Sequence, residues 1–268
     1  MSLKEVSMTN QEIFRIAVEQ SAADLCAAPE DFEKSENVIV TSQINGQARR
    51  YLKLPFSCQL VSYGNNVVAS VSHGFREMTE KYVNSYPIEH LFETPHLHAL
   101  NEALMGKGQK ICFMAEYFLP DVNVLTARDA GPYKIKLLYP KDFAGLYLPE
   151  WSNALCADRK HLDVLGVGAY DGETLVGLAG CSADCDEMYQ IGVDVLPAYR
   201  RRGLAAAMTS RLALEILALD KVPFYCTAWC NLKSARNAIK CGFRPAWVEL
   251  TARETDFVER FNRERKLR

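Results

Sequence analysis

The chain has 268 residues, of which 49% are apolar and 24% are charged, and this composition excludes a disordered protein. The formal net charge of −2 provides no basic field, so neither nucleic acid nor a membrane surface is expected as a partner. No apolar run approaches the ~20 residues of a membrane span. The length is sufficient for two domains of ordinary size.

The nine cysteines are an odd number in a chain of this size, which fits a reducing compartment better than a disulfide framework. The N-terminus lacks the charged and then apolar pattern of a secretory signal, so we expect a cytoplasmic location. Two pairs have a spacing that resembles metal ligation, Cys181 with Cys185 and Cys226 with Cys230. His161 is the only histidine in the C-terminal half, and we therefore expect no metal.

The first half of the chain predicts a small α+β domain. A capping box formed by Thr9 and Glu12 opens a helix that runs to about Leu25. The dipeptide Asn45-Gly46 predicts a β-hairpin between strands at 38–44 and 50–54. The remaining predicted elements are a strand pair around 63–66, helices at 75–83 and 97–104, and a strand at 111–118.

A turn at Asp129-Ala130-Gly131-Pro132 predicts the domain boundary, with an N-terminal domain at 1–131 and a second domain at 132–268. The predicted elements of the second domain are a strand at 133–139, short helices at 143–146 and 150–156, hairpin strands at 165–170 and 174–179, a strand from 188, a helix from 204, a strand at 223–229, a helix at 233–241, a strand at 243–251 and a helical tail at 254–268.

The stretch from Met188 to Ala205 organises this second domain. A β-branched run predicts a strand, Pro197 ends it, and a basic turn leads to Gly203. From Leu204 the apolar residues recur at helical spacing. A strand, a basic glycine turn and a helix N-terminus together predict an anion site, because the first helical N–H groups lack partners and glycine admits a phosphate.

The Arg200-x-x-Gly203-x-Ala205 segment resembles the signature R/Q-x-x-G-x-G/A of the GNAT superfamily of acyl-CoA-dependent N-acyltransferases. The hairpin turn at 171–177 and the helix N-x-x-S…G-F at 231–243 are similar to further elements of that family, and so is the order β-α-α-β-β-β-α-β-α-β over 133–251. The resemblance implies an α/β protein with a mixed sheet, in which a GNAT fold follows a smaller α+β domain. The role of the first half stays open: it is interpreted as a degenerate GNAT-like copy, a lid, a dimer arm or part of the acceptor site.

The resemblance also implies which residues hold acetyl-CoA as co-substrate. Backbone amides after Arg200 would bind the pyrophosphate, and two strand valines would lend backbone groups to the pantetheine and the acyl carbonyl. The implied binding residues are Val193, Val195, Arg200, Arg201, Arg202, Gly203, Leu204, Ala205, Asn231 and Ser234. An N-cap for the following helix is an alternative role for Asn231.

The implied reaction is direct attack of a neutral amine on the thioester. The tyrosine that often serves the family as general acid, seven residues after the asparagine, is replaced here by Ala238. Ser234 lies on the same helical face as Ala238 and is a candidate hydrogen-bond donor, and Tyr189 is another. Two further alternatives are that the thiolate leaves without help from a donor and that the activity is weak or lost. Glu187 and Asp194 are the candidate bases, and a surface role is the alternative for each.

These observations predict an acetyltransferase that acts on a primary amine of a small molecule or peptide. A catalytically degenerate acyl-CoA-binding or regulatory module is the alternative, because the tyrosine is missing. The sequence does not specify the amine acceptor or the oligomeric state, and a homodimer is one of the possibilities.

Overall fold

A computed structural model describes residues 7–264, and this part of the chain forms two compact units. One unit combines the described residues up to Ala17 with Tyr117–Ala246, and the other combines Val18–Glu116 with the residues from Trp247 onward. Three elements continue from one unit into the other, namely α1 (Asn10–Leu25), β4 (Gln109–Pro120) and β10 (Phe243–Glu254). The predicted boundary at 131/132 stays a prediction.

The first unit contains a mixed sheet in the order β4-β9-β8-β7-β6-β5. Its remaining strands are β5 (Lys134–Leu138), β6 (Asp163–Asp171), β7 (Thr174–Ser182), β8 (Met188–Val195) and β9 (Val222–Thr227). Strands β5 to β8 pair antiparallel, whereas β8 and β9 are parallel. The predicted hairpin at Asp171-Gly172 is confirmed as the connection between β6 and β7, with Gly172 at a φ of 59°.

Helix α4 (Leu204–Leu217) packs against β6, β7 and β8, and α5 (Leu232–Lys240) packs against α4 and β9. The predicted apolar stripe of α4 is buried, since Met208, Leu212 and Ile216 are all inaccessible to solvent. The predicted helices at 143–146 and 150–156 are wrong. Residues 140–142 and 149–151 form single 3-10 turns, each with a proline at its first position.

The second unit contains the strand order β1-β3-β2-β10, with β1 (Val38–Thr41), β2 (Cys58–Ser62) and β3 (Val68–Val71). Helices α2 (Arg76–Val83), α3 (Thr94–Met105) and α6 (Thr255–Glu264) complete it. Leu60, Ala69, Leu100 and Leu250 lie in its apolar core.

The predicted mixed α/β class is confirmed. Residues 265–268 of the predicted helical tail lie outside the described residues.

The hairpin predicted at Asn45-Gly46 is wrong. Strand β1 pairs with β3 in parallel, and no strand follows at 50–54 among the described residues. The side chain of Asn45 donates to the carbonyl of Ala23 at 2.7 Å and accepts from the N–H of Gln47 at 3.0 Å. Asparagine here closes an Asx turn that is held by α1, and this local bond competes with the hairpin geometry.

Candidate functional site

The pairing of β8 changes along its length. On one side, residues Gln190–Val195 pair continuously with β7. On the other side, the parallel ladder with β9 joins Met188–Ile191 to Val222–Tyr225 and ends there. Since β8 continues to Val195, its last residues pass a gap next to the end of β9.

The backbone of Val193 faces this gap. The N–H of Leu196 donates to the carbonyl of Val176 at 3.0 Å, which fixes the alternation of hydrogen-bonded and non-hydrogen-bonded pairs between β7 and β8. By this alternation, Gly192 and Asp194 bond to β7, whereas the N–H and C=O groups of Val193 and Val195 point away from it. The two valines selected from the sequence therefore present their backbone to the gap.

The basic turn has the geometry of an anion-binding nest. Arg201 has a φ of 64° and Gly203 has a φ of 85°, so two residues of the turn adopt the left-handed region. Gly203 is the N-cap of α4, and the first intrahelical bond that it accepts comes from Ala207 at 3.0 Å. The N–H groups of Leu204 and Ala205 lie in the first turn, where an α-helix supplies them no carbonyl.

The side chains of the turn are exposed and anchored. Arg200 Nε donates to the carbonyl of Val195 at 3.0 Å, which ties the turn to the end of β8. Arg202 donates to the hydroxyl of Tyr133 at 2.6 Å, and its guanidinium lies 5.2 Å from the ring centroid of Tyr199. Tyr199 in turn donates to Asp171 at 3.1 Å. These contacts hold two positive charges beside the N-terminus of α4.

The opposite face of β8 is covered by the chain segment at 149–155. A β-carbon at Gly192 would lie 1.8 Å from the carbonyl oxygen of Asn153, and one at Gly180 would lie 2.2 Å from that of Ala154. Gly180 and Gly192 are register partners, so the two glycines together admit the segment. The absence of a side chain at Gly192 therefore allows a backbone segment to approach β8 closely.

Asp194 holds that segment in place. Its carboxylate accepts hydrogen bonds from the N–H of Asn153 at 2.8 Å, from Asn153 Nδ2 at 2.6 Å and from the N–H of Ala154 at 3.0 Å. Asp194, which the sequence offers as a candidate base, thus binds the segment that covers the opposite face of β8. Asn153 was not selected from the sequence, because an asparagine in a turn carries no signal of a partner 41 residues away.

The predicted catalytic residues lie in three places. Glu187 lies just before β8, where its half-exposed carboxylate accepts from Lys221 at 3.1 Å. Tyr189 lies on β8 with the same parity as Val193, and burial raises the pKa of its hydroxyl. Tyr189 is therefore a hydrogen-bond donor at neutral pH and not a base. Ser234 lies in the first turn of α5, 2.8 Å from the hydroxyl of Tyr225.

Asn231 is the N-cap of α5, since its side chain accepts from the N–H of Ser234 at 3.3 Å. Ala238, one turn further along from Ser234, is fully buried. The role of Asn231 toward a cofactor stays a prediction.

Among residues 7–264, no group of three or more acidic, histidine or cysteine side chains is placed to hold a metal ion. The described helices also include none that is both long and apolar enough to span a bilayer. All nine cysteines are free thiols.

Residues 123–246 match the sequence model of a family described as GNAT acetyltransferase. This range includes the gap beside β8, the basic turn and α5. No curated protein matches the chain.

Solved structures similar to this chain include proteins assigned to the same family. A GNAT-family acetyltransferase from Novosphingobium aromaticivorans is 21% identical with a TM-score of 0.42, over 54% of this chain and 66% of its own length. A GCN5-related N-acetyltransferase-like protein from Streptococcus suis is 22% identical with a TM-score of 0.42, over 60% and 69%. A Drosophila protein is 12% identical with a TM-score of 0.47, over 94% and 91%. This chain thus spans just under two thirds of the Novosphingobium protein.

Proposed function

Since residues 123–246 match the GNAT acetyltransferase family, we propose that this protein transfers an acetyl group from acetyl-CoA to a primary amine of a small molecule or peptide. The observation that carries the proposal is the continuity of three features. The part of β8 beyond its ladder with β9, which includes Val193 and Val195, leads directly into the basic turn, and the turn leads into the N-terminus of α4.

The turn fits a diphosphate. At Gly203 an added β-carbon would meet only the carbonyl oxygen of Asp129 at 4.0 Å, so the space beside the left-handed backbone is open. The N–H groups of residues 201–205 would bind the phosphate oxygens, and Arg200 and Arg202 would supply positive charge. The neighbouring gap would accept the pantetheine as an additional strand-like segment.

The N–H of Val193 would lie beside the thioester carbonyl. In the reaction the amine nitrogen forms a bond to the acetyl carbon, and the carbonyl oxygen becomes an oxyanion that this N–H stabilises. The carbon–sulfur bond then breaks, and sulfur leaves with the electron pair. The proton that the amine loses goes either to a base, for which Glu187 is our candidate, or to water. Tyr189 and Ser234 are the candidate hydrogen-bond donors.

A second candidate function is an acyl-CoA-binding or regulatory module without turnover. Ala238 is the observation that favours it, because a methyl group there cannot supply the proton that a tyrosine would. In either case the nine free thiols are consistent with a reducing compartment, and we infer a cytoplasmic location. A homodimer is a further proposal that size measurement in solution would test.

The two functions and the site can be tested together. We would measure release of the CoA thiol from acetyl-CoA with a panel of amines, and thermal stabilisation by CoA. An enzyme gives both signals, whereas a binding module gives stabilisation alone. Absence of both signals would remove acyl-CoA from the proposal.

The site itself is tested by Gly203→Ala, with Gly172→Ala as the matched control. Both glycines have a positive φ and open surroundings, so alanine introduces the same backbone strain of about 1 kcal/mol at each. Only Gly203→Ala is expected to weaken CoA binding, by roughly tenfold, because only there does the new methyl group face the bound phosphate. Equal CoA affinity in the two variants would place the diphosphate elsewhere.

A charge reversal supplies an independent test of the basic turn. We expect Arg200→Glu and Arg202→Glu each to weaken CoA binding and to reduce its salt dependence. Lys240→Glu, an exposed charge reversal at the far end of α5, is the control and should leave CoA binding unchanged.

A further inference from the structure

Two hydroxyl groups meet at the first turn of α5. The Tyr225 hydroxyl lies 2.8 Å from Ser234 Oγ, and Tyr225 is 3% exposed whereas Ser234 is half-buried. Tyr225 comes from β9, and no sequence pattern selected it. The inference below rests on the proposed function, because it assigns this hydroxyl pair a role in the same reaction.

The pair lies beside the gap in the sheet. Tyr225 is the register partner of Ile191 in the final pair of the β8–β9 ladder. Side chains alternate between faces along a strand, and paired residues of neighbouring strands share a face. Tyr225 therefore lies on the sheet face of Ile191 and Val193, at the point where the two strands separate.

Either hydroxyl can be the donor of the 2.8 Å hydrogen bond, and the protonation state of Tyr225 decides which arrangements are open. Removal from water raises the pKa of the Tyr225 hydroxyl, and the side chains of Ser234 and Asn237 each lower it by less. Tyr225 thus keeps its proton at neutral pH and can donate it in a hydrogen bond. When Tyr225 donates to Ser234 Oγ, the serine hydroxyl hydrogen is directed away from the tyrosine, toward the less buried side of α5.

We propose that Tyr225 is a positioning residue, which orients the Ser234 hydroxyl as a hydrogen-bond donor to the sulfur of the departing coenzyme A. The sulfur leaves as a thiolate with the electron pair of the broken carbon–sulfur bond, and Ser234 stabilises that anion without giving up its proton. The thiolate then takes a proton from water. This arrangement replaces the direct donor that a tyrosine at position 238 would provide.

A hydroxyl pair suits this task because a thiolate does not require a strong acid. A thiol ionises near pH 8.5, far below a buried tyrosine, so complete proton transfer from Tyr225 to the thiolate would be unfavourable. A hydrogen bond to a charged acceptor remains favourable, and it stabilises the anion formed during the reaction.

The decisive measurement is the thiol pKa of bound CoA, followed by the ultraviolet absorbance of the thiolate as the pH is raised. This readout requires no amine acceptor and no turnover. We expect the thiol of CoA bound to the unmodified protein to ionise at lower pH than free CoA. Tyr225→Phe and Ser234→Ala should each raise that pKa by roughly one pH unit, whereas Ser234→Thr, which keeps the hydroxyl, should preserve it.

Controls separate this role from a structural one. Tyr63 and Ser21 form a similar, partly buried hydroxyl pair at 2.9 Å in the other unit, so Tyr63→Phe matches the loss of a tyrosine–serine hydrogen bond without touching α5. It should leave the thiol pKa unchanged. In turnover, Tyr225→Phe should lower kcat roughly tenfold with an unchanged KM for acetyl-CoA.

The failure of this inference is distinguishable from failure of the proposed function. If CoA binds and Tyr225→Phe leaves its thiol pKa and the kcat unchanged, the positioning role is wrong and the binding site stands. If CoA does not bind to the unmodified protein, the proposed function is wrong, and the hydroxyl pair loses its assigned role with it.

Discussion

The carbonyl oxygen of Asn153 occupies the position that a side chain at residue 192 would need, 1.8 Å from a β-carbon built on Gly192. A backbone atom cannot move aside as the end of a flexible side chain can. We therefore expect Gly192→Ala to displace the segment at 149–155 and to lower the free energy of unfolding by at least about 2 kcal/mol. Urea denaturation measures this change. Gly145→Ala, where a β-carbon meets nothing within 4 Å, is the control.

The role of Glu187 can be tested by pH. Glutamine keeps the size of the side chain and cannot accept a proton, so Glu187→Gln should lower the transfer rate at neutral pH. The rate should recover in part at high pH, where the amine loses its proton to water. Glu215→Gln is the control, because Glu215 is also paired with a cation, Arg211 at 2.6 Å, but lies on α4. An unchanged pH profile would remove Glu187 from the mechanism.

Asp163 should make stability fall as pH rises. Burial raises the pKa of this carboxyl to about 6, above its value in the unfolded chain. The native state therefore favours the protonated form, and the stability that this form contributes is full below about pH 4 and is lost as the pH rises through about 6. We expect Asp163→Asn to abolish this dependence and to raise the unfolding free energy at pH 8 by about 2 kcal/mol.

Urea denaturation between pH 4 and pH 8 measures the effect of Asp163→Asn. The N–H of Cys156 donates to the Asp163 carboxylate at 3.0 Å, and an asparagine oxygen can accept the same bond. The exposed Asp158→Asn is the matched control for removing one carboxylate. If the Asp163→Asn and unmodified curves stay parallel, the inferred titration is wrong.

Arg49 neutralises two buried carboxylates in the second unit. It forms ion pairs with Asp24 and with Glu249 at 2.8 Å, and all three side chains are nearly inaccessible. Arg49→Met would leave both acids buried without their cation, which should cost about 3–5 kcal/mol of unfolding free energy. Glu249→Gln keeps the size of the side chain and removes one of two negative charges, but glutamine can accept only one of the hydrogen bonds from Arg49 and Gln59. It should therefore cost less than Arg49→Met, about 1–2 kcal/mol.

The same two variants differ in their response to acid. Burial raises the pKa of Asp24, and the charge of Glu249 raises it further. The destabilisation by Arg49→Met should therefore shrink as pH falls and the carboxyls take up protons. Equal destabilisation by the two variants at neutral pH would show that Arg49 acts through packing and not through charge.

The parts of the fold that the sequence predicted are those with strong local causes. The β6–β7 hairpin follows from Asp171-Gly172, and α4 follows from an apolar stripe after Gly203. The basic turn could be identified because arginines and a glycine directly before a helix all favour the binding of an anion. The same local logic failed at Asn45, where a bond to the Ala23 carbonyl decides the conformation.

The parts that could not be predicted depend on partners distant in sequence. Neither the approach of Asn153 to Gly192 nor the bond between Tyr225 and Ser234 leaves a pattern in the chain. In the sequence, Tyr225 is an ordinary aromatic residue of a predicted strand. Its place beside the proposed site depends on where the β8–β9 ladder ends, and only the structure shows this.

The first turn of α1 belongs to the unit that carries the candidate site. Asn10 Nδ2 donates to Asp121 at 2.7 Å, and Asn10 Oδ1 accepts from the N–H of Val122 at 2.8 Å. A truncation that removes Asn10, or a tag that displaces it, would therefore disturb the segment that leads into residues 123–246, although these residues begin more than a hundred positions later. Expression of this protein for enzymology should carry its affinity tag at the other terminus.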